Sequence, residues 1–201
     1  KKPSSPSATY QEITDQALIP KTIQKNWDNS LLSSIPTGVG NVMLLACGSS
    51  YHCAQIMKHW LAEKGITAII DVASELKEQA LPDLSQTLIV AISQSGETAD
   101  TLLSLQRILT RPHLHSVAIT NTPTSSLAHL CRTTLPIHAG PETGVASTKA
   151  VTAQLITLHL LSCHLCNKAA SFDTSTLTHA INHTLQNPDI PICAQILLKY
   201  Q

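Results

Sequence analysis

Two stretches place hydroxyl groups where a plain turn would not need them. CGSSY (47–51) directly follows the apolar run VMLLA (42–46), and SQSGET (93–98) directly follows TLIVAI (87–92). A glycine beside adjacent hydroxyls lets the backbone turn its N–H groups inward, and a helix starting there adds the unpaired amides of its first turn. Ser49, Ser50, Ser93, Gln94, Ser95 and Thr98 would then all offer hydrogen-bond donors to an anion. Neither stretch holds a Lys or Arg. The pattern therefore suits a sugar phosphate held reversibly better than a nucleoside triphosphate, which takes a P-loop lysine. The competing reading is that the hydroxyls only cap helices and that Glu97 only complements a helix dipole.

A third stretch, AGPETGVASTKA (139–150), has Gly140, Pro141 and Gly144 to shape a loop and Ser147-Thr148 at a helix start. It either closes over the distal part of a ligand or is a cap and nothing more. Lys149 reads as a helix-surface or ion-pair residue rather than a catalytic amine. Cys163-His-Leu-Cys166, with His159 and His164 beside it, has CxxC spacing, but no second ligand pair follows at zinc-site spacing. These cysteines read as helix-core residues. Neither a metal nor a cofactor is expected.

The elements that must position these groups alternate between strand and helix patterns. VMLLA, TAIIDV (67–72), TLIVAI, HSVAIT (115–120) and TTLPI (133–137) read as five strands, the last confined to a sheet edge by Pro136. Helix patterns run from Tyr51 to Lys64 with Ile56, Trp60 and Leu61 on the buried side, and from Thr98 to Leu109 with Leu102, Leu105 and Leu109 buried. A short helical piece, SELKEQA (74–80), stands between two of the strands. A helix from about Ala146 to Asn167 is apolar almost all round and should be largely buried. This alternation predicts an α/β fold, a three-layer doubly wound domain with a five-stranded parallel sheet. The commonest order, 2-1-3-4-5, places a crevice beyond the carboxyl ends of strands 1 and 3, where CGSSY and SQSGET would meet.

Residues 28–167 are expected to form this domain. Residues 1–27 read as a disordered tail (1–9) and an outer helix (10–27). Residues 168–201 read as two helices, the first capped by Asp173 with Leu177, Ile181 and Leu185 on one face, separated by Asn187-Pro-Asp-Ile-Pro191. They are exposed apolar helices or a linker toward another domain.

Composition narrows the partners. Thirteen basic residues balance thirteen acidic ones, so no field attracts nucleic acid or an anionic membrane. Aromatics make up only 3%, which argues against base stacking, while the 43% hydrophobic fraction suffices for a core. KKPSSPSATY carries no apolar run, and the most apolar stretch, 151–166, is interrupted by Gln154, Thr157 and His159. A cytoplasmic protein with a small-molecule partner is expected.

ACGSSY, SQSGETADT and AGPETGVASTKA together resemble the SIS (sugar isomerase) domain, a flavodoxin-like fold, in order from about residue 41 to 160. GVASTKA and VASE (72–75) are similar to the first of the two SIS domains in the glutamine–fructose-6-phosphate aminotransferase (isomerizing) family of glucosamine-6-phosphate synthases. The resemblance implies that Ser49 and Ser50 match the hydroxyl pair after the first strand, where many members have Thr-Ser. Ser93, Gln94, Ser95 and Thr98 match the phosphate-binding loop, and Val145 and Ser147 match residues lining the sugar. It implies fructose 6-phosphate as ligand, amino-sugar synthesis as setting, and a dimer through SIS domains or docking with a second SIS domain.

The departures are equally specific. Members begin with a glutaminase domain bearing an N-terminal cysteine, and a second SIS domain and tail supply the base glutamate, ring-opening histidine and Schiff-base lysine. None of these roles maps onto a residue here, where the sequence begins Lys-Lys. No catalytic residue is assigned, and the chain, read as an excised domain, is expected to bind but not to turn over alone. Two alternatives stay open. A free-standing aldose–ketose phosphate isomerase would draw its base from Glu75, Glu97, Glu142 or His52. A sugar-phosphate sensor would report to a partner.

Overall fold

The computed structural model describes residues 7–76 and 81–200. Five parallel strands, β1 (Asn41–Ala46), β2 (Thr67–Val72), β3 (Thr87–Ile92), β4 (His115–Thr120) and β5 (Thr133–Pro136), form one sheet in the order β2-β1-β3-β4-β5. In register, Leu44 pairs with Ile70 on one side and Val90 on the other, and Ala46 with Val72 and Ile92, so β1 and β3 end level at the same edge. All six residues of β3 and of β4 are buried, as strands covered on both faces must be.

Alternation along each strand divides the core into two layers. Val42, Leu44, Ala46, Val90 and Ile119 face α3 (Gly48–Ala62) and α6 (Lys149–Leu165), joined by Ile19 and Ile23 of α2 (Ile19–Asn26). Met43, Leu45, Ile89, Ala91 and Ala118 face Leu105 and Ile108 of α4 (Ala99–Leu109) and Leu127 of α5 (Ser126–Leu130). Each fully buried Leu or Ile contributes about 1.5–3 kcal/mol relative to exposure, so these runs dominate stability. Pro136 sits on edge strand β5, paired on one side only, and most of α6 is buried, as its apolar surface demands.

Three expectations are corrected, and a fourth falls mostly outside the described residues. On α3 the residues facing the core are Cys53, Ala54, Met57 and Leu61, while Ile56 is exposed and Trp60 only partly buried. On α4 they are Thr101, Ser104, Leu105 and Ile108, with Ser104 donating to the Ala73 carbonyl. In both helices the buried face mixes small residues (Ala54, Thr101, Ser104) with large ones (Met57, Leu61, Leu105, Ile108). The N-terminal segment is not one outer helix over 10–27. It is α1 (Ala8–Asp15), a 3-10 turn (Gln16–Leu18) and α2, whose Ile23 is fully buried in the core. Of SELKEQA, residues 74 and 75 lie in a 3-10 turn (Ala73–Glu75), and 77–80 lie outside the described residues.

The C-terminal helices follow the expected pattern. Asp173 caps α7 (Thr174–Leu185) by accepting from the Ser175 and Thr176 amides, and α8 (Asp189–Leu197) follows the Asn187-Pro188 turn. Ile190, Ile192, Ile196 and Leu197 of α8 are exposed. Among the described residues, no helix is long and apolar enough to cross a membrane.

All six cysteines are unpaired, and their surroundings separate them. Burial pushes the Cys53 thiol up to about 11 and the Cys131 thiol up to about 12, whereas Cys193 is exposed. Timed alkylation of the native chain at about neutral pH, read by mass spectrometry, is expected to modify Cys193 first and to leave Cys53 and Cys131 unmodified until denaturant is added. Early modification of Cys53 would contradict its place beneath α6.

Candidate functional site

The carboxyl ends of β1 and β3 open onto a cavity of ≈ 200 Å³ lined by Cys47, Ser49, Ser50, Ile92, Ser93, Gln94, Ser95, Thr98 and Ser147. Ser50 and Ser95, from turns far apart in sequence, thus share one wall-to-wall space. The topology brings them there: β1 and β3 are neighbours, and each turn follows its strand directly. The volume is below the roughly 300–1,000 Å³ of drug-sized sites and suits a compact polar group.

The turn after β3 is built before any ligand arrives. Gly96 holds φ at 70°, which glycine adopts without penalty, and its N–H donates to Ser93 Oγ at 3.1 Å. Ser93 Oγ lies 2.9 Å from Thr98 Oγ1, and the Glu97 N–H donates to Ser95 Oγ at 3.2 Å. The turn is fastened to its neighbours through the Asn121 N–H on the Gln94 carbonyl (3.0 Å) and the Leu127 N–H on the Gly96 carbonyl (3.0 Å). Glu97 does not serve its own helix. Its carboxylate accepts from the Ser126 N–H at 2.8 Å, at the start of α5, and that bond holds its pKa below the usual carboxylate range.

Three helices start at the cavity: Ser49 and Ser50 lie in the first turn of α3, Thr98 immediately precedes α4, and Ser147 stands just before α6. The capping-only reading fails at two of them, since neither Cys47 before α3 nor Thr98 before α4 makes a side-chain cap bond. The positive ends of α3 and α4 are therefore open to an anion. The start of α6 is already occupied. Glu142 accepts from the Thr148 N–H (2.9 Å), Thr148 Oγ1 (3.0 Å) and the Ala150 N–H (3.1 Å).

Of the eight residues the sequence nominated, seven line the cavity, and Val145 stands apart with its side chain fully exposed. Sequence reasoning missed Gln154, which reaches from α6 to donate to Ser50 Oγ at 3.0 Å and leaves the Ser50 proton free to donate. Its one signal was an amide inside an otherwise apolar helix. Asn121 was also missed. It clasps the third loop by donating to the Gly140 carbonyl (2.7 Å) and accepting from the Ala139 N–H (2.9 Å). Lys149 is buried rather than on the surface, with Nζ 3.5 Å from Asp15 Oδ2.

None of the candidate bases lines the cavity. Glu97 and Glu142 are engaged as described, His52 pairs with Gln55 at 3.0 Å in solvent, and Glu75 is exposed at the end of β2. His164 of the CxxC segment contacts the Ile35 carbonyl at 2.8 Å, and Cys163 Sγ lies 3.6 Å from His159 Nε2. Among the described residues no group of three or more His, Cys, Asp or Glu is placed to hold a metal ion. The cavity can offer hydroxyl, amide and backbone donors to an anion, and no charged side chain lines it.

The sequence profile of the SIS domain matches residues 37–163. Glutamine–fructose-6-phosphate aminotransferase (isomerizing) from Pseudomonas aeruginosa is 48% identical over 125 residues, 62% of this chain and 20% of that protein. The corresponding enzyme from Wigglesworthia glossinidia brevipalpis is 40% identical over 129 residues, 64% of this chain and 21% of its own length. The chain thus spans about a fifth of the length of the curated relatives it matches. Among solved structures, the C-terminal domain of glucosamine-fructose-6-phosphate aminotransferase from Francisella tularensis superposes with a TM-score of 0.72 at 28% identity, covering 91% of this chain and 54% of that one. Glucosamine-6-phosphate deaminase from Thermotoga maritima gives 0.68 at 27%, covering 88% and 53%.

Proposed function

Because the chain belongs to the SIS domain family, we propose that its cavity binds a hexose phosphate, fructose 6-phosphate, as the first SIS half of a glucosamine-6-phosphate synthase. The observation that carries this reading is the uncapped pair of helix starts, α3 and α4, facing one cavity lined by Ser49, Ser50, Ser93, Ser95 and Thr98. The phosphate ester sits against residues 93–98 and the start of α3, and the sugar extends toward Ser147 and the loop bearing Val145. A hydrogen bond to a charged group contributes about 1.5–3 kcal/mol, so four or five support micromolar to millimolar binding once association entropy is subtracted.

The names of the 48% and 40% identical relatives point to the same sugar and to amino-sugar synthesis. With no carboxylate, imidazole or amine lining the cavity, catalytic groups must come from elsewhere, and the reading assigns them to a second SIS domain. The exposed apolar face of α8 is a suitable docking surface for it. The unpaired cysteines fit a reducing cytoplasm.

Calorimetric titration of the chain with fructose 6-phosphate, glucose 6-phosphate and inorganic phosphate tests this. Saturable binding of the hexose phosphates is expected, with ligand slowing alkylation of Cys47 at the cavity wall. Absence of binding would overturn the reading. Formation of glucosamine 6-phosphate from fructose 6-phosphate and ammonia by the chain alone would overturn its non-catalytic part.

A further inference from the structure

The family match begins at residue 37, yet the loop that brings Ser147 to the cavity is gripped from residue 12. Glu12, on α1, is only 4% exposed. Its Oε1 accepts from the Thr143 N–H at 2.6 Å and the Gly144 N–H at 3.1 Å, its Oε2 accepts from the Gly144 N–H at 3.1 Å, and Thr143 Oγ1 adds a contact at 3.4 Å. The fit is close from the loop side too. A Cβ on Gly144 would stand 2.5 Å from Glu12 Oε2, 2.8 Å from Thr9 Oγ1 and 3.3 Å from the Thr9 Cα. Two further contacts tie the same region to α6, Lys149 Nζ to Asp15 Oδ2 at 3.5 Å and Thr152 Oγ1 donating to Gln16 Oε1 at 2.7 Å.

A carboxylate is the group this place requires. Both backbone amides point at it, and the Thr143 N–H above all holds its pKa below the usual range, with Gly144 and the Lys149 charge acting in the same direction. A glutamine would turn one accepting oxygen into an NH₂ group facing N–H donors. The loop is bonded to Glu12 at Thr143 and Gly144, and its Ser147 lines the cavity.

We propose that Glu12 is a positioning residue for the sugar end of the site. It sets the 140–148 loop against the ligand, while the phosphate end is set independently by residues 93–98. This deepens the hexose-phosphate reading and rests on it. An N-terminal segment outside the matched domain span thereby becomes part of the specificity of the cavity.

The test compares Glu12→Gln with the unaltered full chain for two ligands, fructose 6-phosphate and inorganic phosphate. Glu12→Gln is expected to weaken fructose 6-phosphate about three- to tenfold, the usual reach of a residue acting through a loop, and to leave inorganic phosphate within about twofold. A purely structural role would move both affinities together. Equal loss for both ligands, or no loss for either, overturns the proposal. Should Glu12→Gln fail to fold, hydrogen exchange in the unaltered chain decides. Fructose 6-phosphate is expected to slow exchange at Thr143 and Gly144 while inorganic phosphate does not, and identical protection by both overturns it. If the unaltered chain binds no hexose phosphate at all, the binding reading falls first and this inference with it.

Discussion

Replacing Gly96 by valine is expected to collapse the turn after β3, lowering both stability and ligand affinity more than any other single change in the site. Two independent penalties act at this position. The backbone φ of 70° is disfavoured for any side chain and most of all for a β-branched one, at about 1–3 kcal/mol. A Cβ built there would lie 2.0 Å from Ser125 Oγ, 2.5 Å from Ser125 Cβ and 2.9 Å from Thr120 Oγ1. Ser125 cannot yield cheaply, because it is buried and its Oγ caps α5 by accepting from the Ala128 N–H. Overpacking of this kind costs about another 1–3 kcal/mol. For a domain of this size each kcal/mol lowers Tm by about 2–4 °C, so a fall of about 5–20 °C is expected in a thermal melt. Fructose 6-phosphate binding should be lost with it. Gly96→Ala shares the backbone strain and the contact with Ser125 and should fall between. A valine variant with unaltered Tm would show that the turn does not approach Ser125 as described.

Much of this arrangement was legible in the sequence because it depends on local patterns and one topological rule. TLIVAI and HSVAIT are unbroken apolar runs, and both became strands buried on each face. The order β2-β1-β3-β4-β5 then required the turns after β1 and β3 to meet, which placed Ser50 and Ser95 on one cavity. The helix faces were harder to read. Pattern reasoning weights large apolar residues, and it chose Ile56 on α3 and Leu102 on α4. The helices instead bury Ala54 on α3 and Thr101 and Ser104 on α4, leaving Ile56 exposed.

Contacts between distant segments left no local trace. Glu97 sits where a residue serving α4 would sit, but its carboxylate reaches Ser126 on the next helix. Gln154 orients Ser50 across 104 residues, and Glu12 reaches Thr143 across 131. Glu97 and Glu12 are polar residues whose type suits their neighbourhood in sequence, and the amide of Gln154 in an apolar helix marked an oddity without naming its partner. The meeting of the turns was readable from the strand pattern and order, whereas the groups that hold the turns in place required the fold.

The two serines of the 93–98 turn are expected to separate these roles in one experiment. Ser95 is exposed, and its Oγ accepts only the Glu97 N–H at 3.2 Å, an exposed bond that water can replace. Ser95→Ala should therefore keep its Tm while losing one donor to the phosphate ester, a loss of about 1.5–3 kcal/mol or about ten- to a hundredfold in Kd for fructose 6-phosphate. Ser93 is 4% exposed, and its hydroxyl both accepts the buried Gly96 N–H and pairs with Thr98. Ser93→Ala strands that N–H in the interior at about 1–3 kcal/mol, so Tm should fall by about 2–10 °C along with affinity. Melts and titrations on both variants resolve the outcomes. Unchanged affinity in Ser95→Ala would remove that hydroxyl from the ligand, and an unchanged Tm in Ser93→Ala would mean that the turn does not depend on the Gly96 hydrogen bond. With the expected result, both variants losing affinity and only Ser93→Ala losing Tm, the turn is a scaffold made by one serine and a ligand donor supplied by the other, and the start of α4 is without a side-chain cap because Thr98 pairs with Ser93.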